Sequence, residues 1–465
     1  MFVQVRLARW LMLAAAVLLV SCATSPGGAQ RPRNVIVLYA DGAAITQLEF
    51  GRYSSRLLRN AGYAVTDTVL SQGSIGFLTT HPHEAFATDS TATASAMSTG
   101  VKTTIGAIGV GPDGKPERTA VEVAKAQGKR IGLVTTAEIY DASPAAFSVH
   151  TRNRGNHADI VDQYLALEPD VMLGGGSDQF LPEGVPGGKR KDQRDVLAAF
   201  AGKGYALARN SAELRATSGA RVLGLFADDA MDYEIDRAST PQPSYAEMVA
   251  AALKALETSP QGFFLFAENE NTDTAGHRND AAALMRDLWA FDDGVRVALE
   301  FQKRHPDTLI VVTGDHETGG LSITYAQRDL KDVTSRNRFY AGNEHLKLLA
   351  GITMSLDKAL DALGKAPTPA DVDKLVSTHF PGFRLDDDLR EALLKRQLLE
   401  RNHTYAVQNA LGRMVARQTG VYWGTSGHTT EPVVVGAIGP GAERFRGYLD
   451  NTDFARILRE LFGPQ

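Results

Sequence analysis

The chain has 465 residues, 43% hydrophobic, 22% charged and 8% aromatic, and is longer than the roughly 100–200 residues of a usual single domain. This composition excludes a disordered chain, a collagen-like repeat and a bundle of membrane spans. A net charge of −5 leaves no basic surplus for nucleic acid, and a single cysteine excludes an intramolecular disulfide.

Residues 1–30 read as a targeting segment. Arg6 and Arg9 supply a positive start, and Trp10 to Val20 is an apolar run of 11 residues, too short for a membrane-spanning helix. It ends in Leu19-Val20-Ser21-Cys22, which resembles a bacterial lipobox, where cleavage precedes the cysteine and its thiol takes the lipid. The alternative is a plain secretory signal cut after Ala23 or Ala29. On the lipobox reading, residues 1–21 are signal peptide, Cys22 is the lipidated first residue, and 22–33 form a flexible tether rich in Pro, Gly and Ser. Losing two arginines and no acid takes the net charge from −5 to −7. The expected location is extracytoplasmic, periplasmic or at the cell surface, with a lipid anchor in a bacterial membrane.

Beyond the tether, short β-branched runs predict strands over Val35–Tyr39, Arg130–Thr135, Val171–Leu173, Arg221–Phe226, Phe263–Phe266, Thr308–Val312 and Val433–Ile438. Amphipathic stretches such as Ala281–Lys303 and Asp453–Phe462 predict helices between and after them. The alternation predicts an α/β architecture, a central mostly parallel sheet sandwiched by helices. The rhythm breaks from Leu330 to Arg417, where charged amphipathic patterns such as Leu385–Glu400 predict a largely helical insertion or cap, 330–417, set into a core of 34–325 and 424–465.

In open α/β sheets, ligands collect beyond the carboxyl ends of the strands. Here those ends carry Asp41, then Glu138, Asp141 and Ser143, then Glu268, Asp273 and His277, then Asp315 and His316. His428 precedes Val433–Ile438, so that strand is expected to run antiparallel and begin at the same edge. Each residue alone is an ordinary turn or core residue. Together, carboxylates at one edge repel, and a cation relieves them; mixed Asp and His ligands suit zinc. Asp273 and His277 also have the i, i+4 spacing of one helix face. His81, His83 and His157 read as surface or loop residues.

Asp89-Ser90-Thr91-Ala92-Thr93-Ala94-Ser95-Ala96-Met97-Ser98-Thr99-Gly100 predicts a tightly packed helix with a glycine stop. A hydroxyl at its start would meet free N–H groups and the positive end of the dipole, a setting for an anion; the alternative is a packing helix whose hydroxyls only cap it. There is no Gly-x-Ser-x-Gly elbow, phosphate-binding P-loop, dinucleotide fingerprint or sulfatase-type Cys/Ser-x-Pro-x-Arg setting.

The Asp89–Thr103 stretch, Ala137–Ala146, Glu268-x-x-x-x-Asp273-x-x-x-His277, Thr313-Gly314-Asp315-His316 and Gly427-His428-Thr429 occur in the order in which the alkaline phosphatase family carries them. The chain resembles that family from Asn34 to Tyr325 and again from Gly424 onward. The resemblance implies metal-dependent hydrolysis of phosphate monoesters with Ser90 as nucleophile, through a phosphoserine. It implies one Zn²⁺ on Asp41, Asp315 and His316, a second Zn²⁺ on Asp273, His277 and His428, and one Mg²⁺ on Asp41, Ser143 and Glu268. Asp141 would stand behind the magnesium, and Arg154 would clamp two phosphate oxygens.

Three residues depart from the family pattern. Gly42-Ala43-Ala44 replaces Gly-x-Gly, Thr91 replaces a small residue after the nucleophile and becomes a rival hydroxyl, and Thr274 stands where relatives carry Lys or His. The alternative within the superfamily is a phosphodiesterase or phosphonate hydrolase, which lacks the set matching Arg154, Ser143 and Glu268. A non-catalytic lipoprotein on the same scaffold would not need every ligand. A homodimer is the expected assembly, with a monomer as the alternative. Mass spectrometry of the mature chain is expected to find acylated Cys22 at its N-terminus; an unmodified chain beginning after Ala23 or Ala29 would establish the plain secretory signal.

Overall fold

The computed structural model describes residues 31–326 and 340–463. The leader, Cys22 and most of the tether lie outside the described residues, as does the start of the 330–417 segment. Among the described residues no helix is long and apolar enough to cross a membrane.

The strands, in chain order, are β1 (Asn34–Ala40), β2 (Ser74–Leu78), β3 (Arg130–Glu138), β4 (Val171–Gly175), β5 (Ala206–Ala208), β6 (Val222–Leu225), β7 (Phe263–Asn269), β8 (Thr308–Thr313), β9 (Glu317–Thr318), β10 (Leu321–Ile323), β11 (Val421–Trp423), β12 (His428–Thr429), β13 (Val433–Ile438) and β14 (Gly447–Leu449). Ten of them form one sheet in the order β14-β2-β13-β8-β1-β7-β3-β4-β6-β5. It is parallel except for β13, which runs antiparallel to both β8 and β2. Period-two alternation sends β1 residues to opposite layers. Ile36 and Leu38 join the core under the long helix Ala281–Arg304, while Val35, Val37 and Tyr39 join the core under the helices Ser90–Thr99 and Asn451–Phe462.

All seven expected strands are present, with β13 antiparallel as expected. Five of them run further, β3 and β7 most: β3 continues to Glu138 across an irregular register, and β7 continues to Asn269, so Glu268 lies within its strand rather than after it. Strands β2, β5 and β14 were not foreseen. Two of them have three residues, and β2 turns Ile75 and Phe77 outward while only Leu78 faces the core, so two of its three large apolar residues sit on the wrong face for a core pattern.

Between β10 and β11 the described residues form five helices, Asn343–Ala350, Leu356–Leu363, Pro369–His379, Asp387–Lys395 and Ala406–Thr419. They pack on one another and on the layer of Ala281–Arg304. Ser355 and Leu356 start one of them by donating their N–H groups to Asp236 (3.2 Å) and Asp280 (2.6 Å) of the core. Central β1 lies between β7 and β8, with Tyr39 level with Glu268 on one side and Thr313 on the other. That register delivers Asp41, Glu268 and Asp315 to one place.

Candidate active site

The turn after β1 puts Asp41 at the sheet edge, fully buried. Gly42 follows at φ +70°, and a Cβ there would lie 2.6 Å from Asp273 Oδ1 and 2.8 Å from Thr318 Oγ1, so only glycine fits. Its N–H donates to Asp315 Oδ1 at 3.3 Å. Neither Ala43 nor Ala44 has a positive φ, so the departure from Gly-x-Gly leaves the turn intact.

Asp41 stands between two groups. Its Oδ1 faces His316 Nε2 at 3.7 Å, and His316 Nε2 lies 3.2 Å from Asp315 Oδ2. Its Oδ2 accepts from Ser143 Oγ at 3.3 Å, on the helix Ala142–Ala146 that Asp141 starts. Glu268 completes that side, accepting from Thr135 Oγ1 at 2.5 Å. On the far side of His316, the helix Asn271–Arg278 places Asp273 Oδ2 and His277 Nε2 3.1 Å apart. The two-residue pair β9–β12 sets His428 opposite Thr318, with its ring stacked at 3.7 Å on His316 and its Nε2 3.0 Å from His277 Nε2. Asp41, Asp315 and His316 converge within ligand distance of one another, and so do Asp273, His316 and His428.

The hydrogen-bond partners fix the imidazole tautomers. His277 Nδ1 faces the Ser426 carbonyl and His428 Nδ1 the Thr88 carbonyl, both at 2.7 Å. A carbonyl only accepts, so Nδ1 carries the proton and Nε2 turns a lone pair to the centre. Thr318 donates to Asp273 Oδ1, leaving its oxygen, 3.2 Å away, to accept from His316 Nδ1. Asp41 Oδ1, Asp315 Oδ2 and Glu268 Oε1 are buried without a hydrogen-bond partner. A concentration of lone pairs with so few donors fits bound cations.

Without metal, protons meet the same demand. Burial, then Asp315, Asp273 and Glu268, push the Asp41 carboxyl well up. Burial, then Asp273, raise Asp315 to about 7. Burial also pushes Glu268 well up against the Thr135 hydrogen bond. Burial alone would raise Asp273, but His277, His428 and His316 outweigh it and hold that carboxyl below its usual range. Burial lowers His277, yet Asp273 lifts it to about 9. Burial and His428 push His316 well down.

The helix Ser90–Thr99 points its first turn at this cluster. Asp89 caps it, accepting from the Ala92 N–H at 3.0 Å, and Gly100 ends it at φ +75°. Ser90 Oγ lies 3.1 Å from His316 Nε2. Thr91 Oγ1 instead donates to Asp89 Oδ2 at 2.6 Å and accepts from the Gly106 N–H. Arg154 Nη2 donates to Asp141 Oδ1 at 2.8 Å, and its Nη1 lies 3.7 Å from Asp89 Oδ2. Asp141, first among its neighbours, keeps the guanidinium charged.

Glu138 does not join the cluster. Burial and a hydrogen bond with Asp229 raise it to about 9. His81, His83 and His157 also stay out; His157 stacks on Tyr140 at 4.8 Å. Three supporting residues went unread in the sequence. Glu317 accepts from Gln47 Nε2 (2.5 Å), Thr429 Oγ1 (2.7 Å) and the N–H groups of Gly320 and Leu321, pinning β9 to β12. Thr318 orients Asp273. Glu270, raised to about 8 by burial and Asp273, accepts from Thr274 Oγ1 at 2.5 Å. Only adjacency to Asp273 and Asp315-His316 could have flagged them.

Metal-stripped protein is expected to melt at progressively lower temperature as pH rises from about 5 to about 9. Asp315 and His277 both bind protons more tightly folded than unfolded, so their contribution is lost as pH passes about 7 and about 9. Chelation should lower Tm by at least about 5 °C near pH 8. Calorimetry with and without chelator checks this; an unchanged melt would deny the cations a structural part.

A family model described as alkaline phosphatase matches residues 32–463. Alkaline phosphatase 3 of Bacillus subtilis is 33% identical over 444 residues, covering 92% of this chain and 89% of that protein. The repressible alkaline phosphatase of Saccharomyces cerevisiae is 31% identical, covering 87% and 75%. The crystal structure of Thermus thermophilus alkaline phosphatase superposes with a TM-score of 0.84 at 31% identity, covering 94% of each chain.

Proposed function

The chain belongs to the alkaline phosphatase family, and from that premise we propose that the strand-end cluster hydrolyses phosphate monoesters with Ser90 as nucleophile. The observation that carries the reading is the convergence of buried, donor-poor carboxylates and imidazole lone pairs on the Ser90 hydroxyl. Asp41, Asp315 and His316 would hold one Zn²⁺, and Asp273, His277 and His428 a second. Asp41, Ser143 and Glu268 would hold one Mg²⁺. When bound, the zinc ions would lower the pKa of the serine hydroxyl and stabilise charge on the entering and departing oxygens of an in-line displacement.

The chain's own residues do the rest. Ser90 occupies the first helical position, where unpaired N–H groups and the positive helix end favour a phosphate dianion. Attack of Ser90 Oγ on phosphorus forms a phosphoserine and releases the alcohol; hydrolysis then returns serine and inorganic phosphate. Arg154, braced by Asp141 and Asp89, holds two non-bridging oxygens. Asp41 belongs to two ligand sets, which ties their occupancies together. The leader supports an extracytoplasmic enzyme tethered through Cys22, and 330–417 would be an accessory helical unit on a core of 34–325 and 424–465.

Ser90→Ala is expected to abolish the phosphoenzyme, while Thr91→Ala keeps it. Trapping with radiolabelled monoester at acid pH checks this, and label on Thr91 would overturn the assignment.

A diester has one oxygen replaced by an alkoxy group, so the guanidinium cannot hold it with both arms. Arg154→Ala should therefore lower kcat/KM for nitrophenyl phosphate by at least about tenfold and leave bis-nitrophenyl phosphate nearly unchanged. Equal losses, or a wild-type preference for the diester, would place the chain among phosphodiesterases.

A further inference from the structure

The segment 402–409, at the end of the helical stretch between β10 and β11, touches the metal-ligand shell. His277 Nδ1 depends on the Ser426 carbonyl, and Ser426 is held by this segment. Its N–H donates to the Asn402 carbonyl at 3.2 Å, and its hydroxyl accepts from the Thr404 N–H at 2.9 Å. Asn402 Nδ2 donates to the Gly424 carbonyl at 2.6 Å, and Thr425 Oγ1 to the Asn402 carbonyl at 3.2 Å. The loop leading to His428 is thus fastened at three successive residues.

A second hold acts on the helix that carries Asp273 and His277. Asn279 ends that helix at φ +59° and donates from Nδ2 to the Thr425 carbonyl at 2.9 Å. Buried Asn409 donates to Asn279 Oδ1 at 3.1 Å. Arg278 donates to Asp357 at 3.0 Å and lies 3.8 Å from the centre of the Tyr405 ring. By contrast, the hydrogen bonds to Asp41, Asp315 and His316 come from Ser143, Thr272, Gly42, Ser90 and Thr318, all outside the insertion.

We propose that Asn402, Thr404 and Asn409 are positioning residues for the His277–His428 pair, so that the helical insertion sets the affinity of one zinc site and not the other. The inference rests on the reading of Asp273, His277 and His428 as the second zinc site. Partners behind a ligand typically govern about 10–100-fold in metal affinity.

The test is zinc titration of metal-stripped, full-length protein against a competing chromophoric chelator, with Tm recorded in parallel. Exposed Asn402→Ala, which removes the bond to Gly424, and the small change Ser426→Ala, which removes the bond to Thr404, are expected to weaken one of two zinc ions by about tenfold, the low end of that range, and leave the other unchanged. At limiting zinc kcat should fall, and excess zinc should restore it with little change in KM. Equal weakening of both ions, or none, overturns the proposal. His277→Ala separates the two layers. If it leaves both zinc ions bound, the ligand assignment fails; if it removes one while Asn402→Ala and Ser426→Ala weaken neither, only the positioning role fails.

Discussion

Lone pairs facing one another with too few protons between them are the constraint on which this structure depends. Asp41, Asp315 and Glu268 each bury an oxygen without a partner, and His277 and His428 turn Nε2 atoms toward each other at 3.0 Å. Left alone, such a cluster would repel itself apart or fill with protons. The parallel sheet does not relieve it; β7, β1 and β8 bring these groups together by register. The fold therefore holds a charge imbalance that only cations or protons can settle, and the same imbalance makes the edge of the sheet useful for phosphate chemistry.

Holding the imbalance takes a second layer that carries no ligand. Glu317 collects four donors and so fixes the two-residue pairing that swings His428 into place. Thr318 touches Asp273 and His316 at once and couples the orientation of one to the tautomer of the other. Gly42 is needed because Asp273 packs where its side chain would be. These residues hold together a cluster drawn from different elements: Asp41, Asp315 and His316 sit on turns, Asp273 and His277 on a helix, and Glu268 and His428 on strands.

Much of this was legible in the sequence. Strand ends carrying Asp41, Asp273, Asp315 and His316 could be read because β-branched runs and acids are local signals. The antiparallel sense of β13 followed from needing His428 at the same edge. What could not be read was of longer range. The division of labour between Ser90 and Thr91 lies in which hydroxyl meets His316 and which meets Asp89, a matter of helix rotation. Glu138 has the composition and position of a ligand but pairs with Asp229 across the sheet end. Strand β2 escaped because Ile75 and Phe77 face outward, contrary to the rule that apolar residues mark the core side.

The helical stretch departs from the core just after β10 and returns on β11, and these strands are hydrogen-bonded neighbours, Leu321 opposite Trp423. Its two ends are thus closed by the core itself, and the chain between them adds little loop-closure entropy however long it grows. Length in that interval is free to drift from relative to relative. The final stretch before β11 is not free in this way, because it is bonded to the loop that supports His277. Variation should accumulate in the outer helices Pro369–His379 and Asp387–Lys395 and stop short of Asn402.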